Sequence, residues 1–142
     1  MKRRALSLLL TIGLGLILAD VMCPVARLDT LDLDALLVSS ATSLAGFYAR
    51  QLSTSTSPSI RVEIEESADP RVDGRTVRGE NGCVLKMRRS TLRRPDIVAH
   101  ETCHCVNDYP LLTPHGYDPS VTFDEVVRME RAAKRCAEEL SK

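Results

Sequence analysis

Hydrophobic residues recur along this chain with two different periods, and these periods predict its first elements. Between residues 30 and 52, leucines and aromatic residues recur at helical spacing, which predicts a helix with a core-facing stripe. Between residues 60 and 64, apolar residues alternate with charged ones, which predicts a half-exposed strand. The stripe of the helix comprises Leu33, Leu36, Leu37, Leu44, Phe47 and Tyr48.

The middle of the chain predicts two more strands and a second helix. A short strand is expected near residues 75–78, and Asn81-Gly82 is a tight-hairpin signal that leads into a third strand at residues 83–87. Pro95 then opens a helix, where its fixed backbone angle and missing N–H cost nothing. The third strand is expected to offer its edge to an extended peptide.

A last helix is predicted from residue 122 to residue 140. Thr122 and Glu125 have the spacing of a capping box, which satisfies the first backbone N–H groups of a helix. The order helix, three strands, helix, helix predicts an α+β fold with an antiparallel or mixed three-stranded sheet. The apolar stripe of the last helix is interrupted by one carboxylate and comprises Phe123, Val126, Glu130, Ala133, Ala137 and Leu140.

The N-terminus predicts export. Lys2, Arg3 and Arg4 precede an uncharged apolar run at residues 5–19, which has the length of a signal-peptide core. Apolar character resumes at residues 21–26, so residues 1–26 are predicted to be either a signal peptide or an N-terminal membrane anchor. Because basic residues stay in the cytoplasm, the domain that follows is expected outside it, periplasmic or secreted, or anchored through residues 5–26.

Length and charge narrow the class of protein. A chain of 142 residues predicts one folded domain, here residues 27–142. The 19 basic and 19 acidic side chains balance, so no net field favours nucleic acid as a partner. The oligomeric state is left open by the sequence.

Export would place Cys83, Cys103, Cys105 and Cys136 where disulfides persist. Four cysteines allow three full pairings. A bond between Cys103 and Cys105 is disfavoured, because on a helix they point about 200° apart. At least one disulfide is expected, and buried free thiols are the alternative.

The sequence His100-Glu101-Thr102-Cys103-His104 carries the candidate chemistry. Residues four apart lie on one face of a helix, so both imidazoles can bind one Zn²⁺ ion. Glu101 is then placed to take a proton from the attacking water. The competing interpretation is an ordinary amphipathic helix with two histidines.

A catalytic zinc site needs a third protein ligand, and three downstream residues are candidates. Glu125 already has a role in the capping box. His115 lies in a Pro-His-Gly loop. Glu130 interrupts an apolar stripe, where a carboxylate is costly unless it is paired or binds a metal. Glu130 is therefore the predicted ligand, and Glu125 and His115 remain alternatives.

This motif with a downstream glutamate on a helix resembles the gluzincin class of zinc metallopeptidases. The tail from residue 130 to residue 140 is similar to the ligand helix of the ImmA/IrrE-type peptidases, with Ala133 and Ala137 at its small positions. Lys134 and Cys136 depart from that pattern. The resemblance implies a minimal zincin-like metallopeptidase domain with Glu130 bound to zinc. SprT-like metalloproteases are a second resemblance, because their HExxH motif is followed by a His-Gly pair, as in His115-Gly116.

The sequence thus predicts hydrolysis of a protein or peptide substrate with one Zn²⁺ ion, held by His100, His104 and Glu130. Glu101 is the predicted base. His115, Tyr117 or Tyr109 is expected to stabilise the developing oxyanion. The alternative is a zinc-stabilised extracytoplasmic binding module without catalysis, which would not need Glu101 or an open coordination position.

Overall fold

Three helices, a small mixed three-stranded sheet and a two-stranded antiparallel hairpin form most of the described part of the chain, in agreement with the predicted α+β class. A computed structural model describes residues 32–53, 58–67 and 69–142, so the predicted signal peptide or anchor at residues 1–26 lies outside the described residues. The elements are α1 (Leu33–Leu52), β1 (Ser59–Ile64), β2 (Gly74–Gly79), β3 (Gly82–Met87), α2 (Pro95–Asn107), β4 (Leu112–Thr113), β5 (Gly116–Tyr117) and α3 (Phe123–Leu140).

The sheet has the order β1-β3-β2, with β1 parallel and β2 antiparallel to β3. The expectation that β3 offers a substrate edge is therefore wrong, because its backbone groups are hydrogen-bonded to strands on both sides. Both edges belong to β1 and β2. Four of the six residues of β3 are buried in succession, as a central strand covered on both faces requires.

The predicted hairpin between β2 and β3 is present, and its turn is one residue earlier than the Asn81-Gly82 signal. Gly79 pairs with Gly82, which leaves Glu80 and Asn81 as the two-residue loop. Gly82 also pairs with Ser59 of β1 and has a φ of 153°. A Cβ atom at Gly82 would lie 2.0 Å from the Ser59 carbonyl oxygen. Glycine is therefore needed where β1 joins the hairpin.

The buried face of α1 consists of three alanines and Tyr48, so Tyr48 is the one member of the predicted stripe that is fully buried. Ala41, Ala45, Ala49 and Tyr48 are buried. The predicted core residues Leu33, Leu36 and Phe47 are instead 56%, 51% and 49% exposed. Alanines four residues apart let a helix approach its neighbours closely. Larger side chains are therefore displaced to the flanks, where Leu37 and Leu44 pack only partly against the core.

Helix α2 lies in the interior, while α3 packs against it with little apolar surface. Seven of the 13 residues of α2 are buried, and Val98 and Ala99 are part of the core. The buried residues of α3 are only Ala133 and Ala137, and Phe123 is 80% exposed, in contrast to its predicted place in the stripe. Among the described residues, no helix is long and apolar enough to cross a membrane.

The four cysteines of the described region form two pairs at disulfide distance. Cys83 of β3 pairs with Cys105 of α2, with their Cα atoms 5.8 Å apart. Cys103 of α2 pairs with Cys136 of α3, with their Cα atoms 6.2 Å apart. The two pairs connect α2 in different directions, one to the sheet and one to the last helix. Sequence alone left this pairing open.

Candidate metal centre

Helices α2 and α3 bring three potential metal ligands together. His100 and His104 follow one another by one turn of α2, and Glu130 faces them from α3. The Nε2 atoms of the two histidines are 3.1 Å apart. Glu130 Oε2 lies 3.1 Å from His100 Nε2, and Glu130 Oε1 lies 3.5 Å from His104 Nε2. The ligand atoms of these three residues all lie within 4.8 Å of one another.

These separations fit a tetrahedral zinc ion. Ligand atoms about 2.0–2.1 Å from a tetrahedral zinc ion lie about 3.3 Å from each other. The distances from His100 Nε2 to His104 Nε2 and to Glu130 Oε2, both 3.1 Å, are close to that value. The other carboxylate oxygen, Glu130 Oε1, lies 3.5 Å from His104 Nε2. Two imidazole nitrogens and one carboxylate oxygen are also the donor set of catalytic zinc sites that keep a fourth position open.

His104 is oriented by a buried network that the sequence analysis missed. Its Nδ1 lies 2.7 Å from Asp108 Oδ2, and the Tyr117 hydroxyl donates to the same carboxylate oxygen at 3.0 Å. In the neutral imidazole that binds a metal, donation from Nδ1–H to Asp108 leaves the lone pair on Nε2, which faces Glu130 and His100. The spacing of His104 and Asp108, four residues apart, is a sequence signal that predicts their contact on one helix face. The contribution of Tyr117 from β5 depends on the fold.

The charges around His104 favour its protonated form in the metal-free site. Burial opposes the charged imidazolium, but hydrogen bonds with Asp108 and Glu130 outweigh burial and raise the pKa of His104 to about 9. Hydrogen bonds with His100 and His104 hold the pKa of Glu130 well below its usual range. A metal ion must therefore displace a proton from this cluster near neutral pH.

We expect Asp108→Asn to weaken zinc binding by about 10–100-fold, the usual effect of losing the carboxylate behind a ligand histidine. Asparagine keeps the size of the side chain but removes the charge that makes His104 more basic. The measurement is a competition titration with a chromophoric chelator. Asp124→Asn, which removes an exposed acid in the first turn of α3, is the matched control and should bind zinc like the wild type.

Glu101 is buried beside the cluster without being one of the converging ligands. Its carboxylate Oε2 accepts a hydrogen bond from the Thr76 hydroxyl of β2 at 2.8 Å, and the same hydroxyl lies 2.9 Å from the Glu101 carbonyl oxygen. Burial raises the pKa of Glu101, although the neighbouring His104 and Thr76 oppose that shift. A buried glutamate with a raised pKa is suited to accept a proton.

Gly74 gives Glu101 its space at the start of β2. A Cβ atom at position 74 would lie 3.3 Å from Glu101 Oε1 and 3.3 Å from its Cγ, which is tighter than ordinary packing. The backbone of the edge strand β2 therefore lies directly against the candidate base. The strand next to the site is therefore β2, and not β3 as the sequence predicted.

Glu130 is placed beside the histidines as predicted, but the burial argument for it does not hold. Its side chain is 53% exposed at the margin of a cleft, so it carries little desolvation cost. Glu125 has the local role that its spacing predicts, because it completes the capping box with Thr122.

The structure does not bring His115 into the cluster of His100, His104 and Glu130, and its predicted catalytic role stays a prediction. His115 is exposed in the turn between β4 and β5, where its backbone carbonyl accepts a hydrogen bond from Arg75 at 3.4 Å. The Arg78 guanidinium lies over the ring of Tyr109, with its carbon atom 4.8 Å from the ring centroid. The Tyr117 hydroxyl donates a hydrogen bond to Asp108. The β4–β5 loop thus supports His104 from behind and does not fold over the cleft.

A cleft of about 710 Å³ opens in front of the cluster. One wall is formed by residues 71–74, including Gly74, and the opposite wall by the exposed side of α3. His100, Glu101 and Glu130 line it together, and Lys134 adds a cationic side chain one turn beyond Glu130. The candidate ligands and the candidate base are therefore reached from the same solvent-filled space.

Comparisons with known proteins do not place this chain in a family. No protein-family model, no curated protein and no solved structure matches it. The resemblance carried by the motif of α2 therefore stays a prediction, and any function assigned to the chain rests on the chemistry of its described side chains.

Proposed function

We propose that this chain is a zinc-dependent peptidase that hydrolyses peptide bonds in the cleft between β2, α2 and α3. The observation that carries the proposal is the convergence of His100, His104 and Glu130 on one point, with the buried carboxylate of Glu101 beside them in the same cleft. A structural zinc site would be closed by a fourth protein ligand, and its ligands would not line an open cleft with a separate buried carboxylate.

Each residue of the centre has a distinct part in the proposed reaction. His100, His104 and Glu130 hold the metal, and Asp108 keeps His104 in the tautomer that binds through Nε2. The zinc ion, when bound, supplies Lewis-acid polarisation of the scissile carbonyl and of the attacking water. Glu101 accepts the proton of that water and then donates it to the leaving amine. Thr76 holds the Glu101 carboxylate in place for both transfers.

The shape of the cleft favours an extended peptide as substrate. The segment at residues 71–74 leads into the edge strand β2, and Gly74 of that strand touches Glu101. A peptide lying along residues 71–74 can add main-chain hydrogen bonds and pass its scissile bond in front of Glu101. Arg71 and Lys134 both line the cleft, and Arg71 is paired with Asp69. Lys134 is therefore the cation proposed for the developing oxyanion, in place of His115, Tyr109 and Tyr117.

A direct test is hydrolysis of a mixture of fluorescence-quenched peptides of random sequence by the zinc-loaded full-length chain. Cleavage should stop when 1,10-phenanthroline removes the metal and return when zinc is added back. Folded, zinc-loaded protein without cleavage would favour the binding-module alternative. Cleavage that persists without metal would contradict the proposed zinc chemistry.

We also propose that the domain works outside the cytoplasm. The basic start and apolar run of residues 1–26 support this, as do two cysteine pairs at disulfide distance, since disulfides persist in oxidising compartments. An alkaline phosphatase fusion after Lys142 should be active in bacteria, because that reporter folds only after export. The matched β-galactosidase fusion should be inactive, and the opposite pattern would contradict export.

A further inference from the structure

The candidate ligand His104 lies between Cys103 and Cys105, whose disulfide partners belong to two different elements of the fold. Cys105 is paired with Cys83 of the central strand, and Cys103 is paired with Cys136 of α3. Helix α2 carries two of the candidate ligands, and α3 carries the third. The Cys103–Cys136 pair is therefore a covalent connection between the two helices that must come together to form the metal centre.

We propose that the Cys103–Cys136 disulfide assembles the metal centre, so that His100, His104 and Glu130 bind zinc tightly only when this bond is formed. The inference rests on the proposed zinc site. It adds a regulation of that site by the redox state of its surroundings. The Cys83–Cys105 pair has a different task, because it joins α2 to the sheet and does not involve the helix of Glu130.

The position of Glu130 depends on how α3 packs against α2, and few side chains of α3 are fully buried. Helix α3 fully buries only Ala133 and Ala137, and the partly buried Leu140 packs against the core near its end. An alanine methyl group removes little apolar area from water, so these contacts hold α3 weakly. The partners of the Glu130 carboxylate are the two histidines themselves. Without a metal, that ion-pair network, the small buried contact of α3 and the Cys103–Cys136 bond together hold the carboxylate near the ligands of α2.

On α3, the disulfide cysteine Cys136 and the ligand Glu130 lie on opposite sides of the buried residue Ala133. On a helix, Cys136 lies about 120° around the axis from Glu130, with Ala133 between them. Ala133 is buried, so α3 is attached to α2 by sulfur on one flank of this residue and presents its carboxylate on the other. Loss of the bond would free α3 to rotate about the alanine contact. Such a rotation would move the carboxylate out of the 3.1–3.5 Å range that it now has to the imidazoles.

The two disulfides also differ in how a reductant can reach them. Cys83, Cys103 and Cys105 are buried, whereas Cys136 is partly exposed. A small dithiol can therefore attack Cys136 Sγ, which breaks the bond to Cys103 and forms a mixed disulfide. Cys103 leaves as a thiolate and takes up a proton. The second thiol of the reagent then displaces Cys136, so that two thiols form in the protein and the dithiol becomes a cyclic disulfide.

Formation of the Cys103–Cys136 bond is the reverse reaction, an oxidation of the two thiols. The two thiols lose two protons and two electrons to the disulfide of a thiol–disulfide oxidoreductase of the oxidising compartment. In a reducing compartment Cys103 and Cys136 remain thiols, Glu130 is not fixed beside His100 and His104, and zinc binds weakly. The zinc site would thus be completed only after export, which keeps the proposed peptidase inactive before it leaves the cytoplasm.

The test compares two cysteine-pair variants in the full chain. Both carry Cys23→Ser, which removes the fifth cysteine of the sequence so that it cannot exchange with the two pairs. Cys103→Ser/Cys136→Ser removes the proposed device, and Cys83→Ser/Cys105→Ser is the matched control that also removes one disulfide next to His104. Zinc affinity is measured by competition with a chromophoric chelator, and helix content by circular dichroism. We expect the first pair to lose about 30–100-fold in zinc affinity and the control pair less than about tenfold.

A thermodynamic cycle with Glu130→Ala separates this role from a general loss of stability. If the disulfide acts by placing Glu130, its removal in the Glu130→Ala background should change zinc affinity by less than about threefold, because the shared effect is already lost. Additive losses would contradict the inference. Wild-type zinc affinity in a folded Cys103→Ser/Cys136→Ser variant would overturn it.

If that variant does not fold, reduction of the wild-type protein provides the same answer. Brief treatment of the zinc-loaded chain with a trialkylphosphine should open Cys103–Cys136 first and release zinc with the same time course, before Cys83–Cys105 opens. Zinc retained after Cys103 and Cys136 have become free thiols would overturn the inference. A wild-type chain that binds no zinc would instead refute the proposed function on which the inference rests.

Discussion

Replacing Glu130 by alanine should abolish tight zinc binding. The carboxylate is the contribution of α3 to the centre, and even the loss of a residue behind a ligand costs about 10–100-fold in affinity. We therefore expect a loss of more than about 100-fold. Zinc at about 100 times its dissociation constant stabilises a protein by about 2.7 kcal/mol. It should raise the melting temperature of the wild type by on the order of 10 °C and leave that of Glu130→Ala almost unchanged.

Two further variants test the alternatives for the third ligand. Glu125→Ala should bind zinc like the wild type and lose only a helix cap, which costs about 0.5–2 kcal/mol of stability. His115→Ala should also keep zinc, because His115 lies in the exposed β4–β5 turn. Loss of zinc from His115→Ala, with zinc retained by Glu130→Ala, would move the third ligand to that loop and favour the SprT-like resemblance.

Replacing Glu101 by glutamine should leave zinc bound and reduce hydrolysis by at least about 100-fold, at the low end of what general acid–base catalysis contributes. Glutamine keeps the size of the side chain, and its carbonyl oxygen can still accept a hydrogen bond from the Thr76 hydroxyl, so the fold should not change. It cannot accept the proton of the attacking water. The measurement is the rate of peptide cleavage by protein of known zinc content.

Glu138→Gln is the matched control for this change, because it makes the same substitution at another glutamate of the same cleft. It should cleave peptides at close to the wild-type rate. Full activity of Glu101→Gln would remove Glu101 from the mechanism. Loss of zinc from Glu101→Gln would instead make Glu101 a metal ligand.

The features that the sequence predicted well are those that depend on residues close together in the chain. The spacing of His100 and His104 fixes their shared face through the helical repeat alone. The capping box of Thr122 and Glu125 is equally local, and both are present in the structure. The hairpin before β3 was also found, with its turn displaced by one residue.

The features that the sequence could not provide depend on long-range packing. The parallel pairing of β1 with β3 makes β3 central, and hairpin signals carry no information about a third strand. The buried face of α1 follows from alanines that permit close helix packing, whereas hydrophobicity alone selected leucines such as Leu36. Tyr117 reaches the Asp108 carboxylate only because the β4–β5 hairpin folds back on α2.

The most direct test of the central claim is the coordination of zinc in the purified full-length chain, measured by X-ray absorption and by the position of the anomalous signal in a crystal. We expect one zinc ion bound by the Nε2 atoms of His100 and His104 and by a Glu130 oxygen, at about 2.0–2.2 Å. We also expect that no fourth protein ligand closes the site. A zinc ion elsewhere, a site closed by a cysteine, or a folded protein without affinity for zinc would contradict the proposed metal centre.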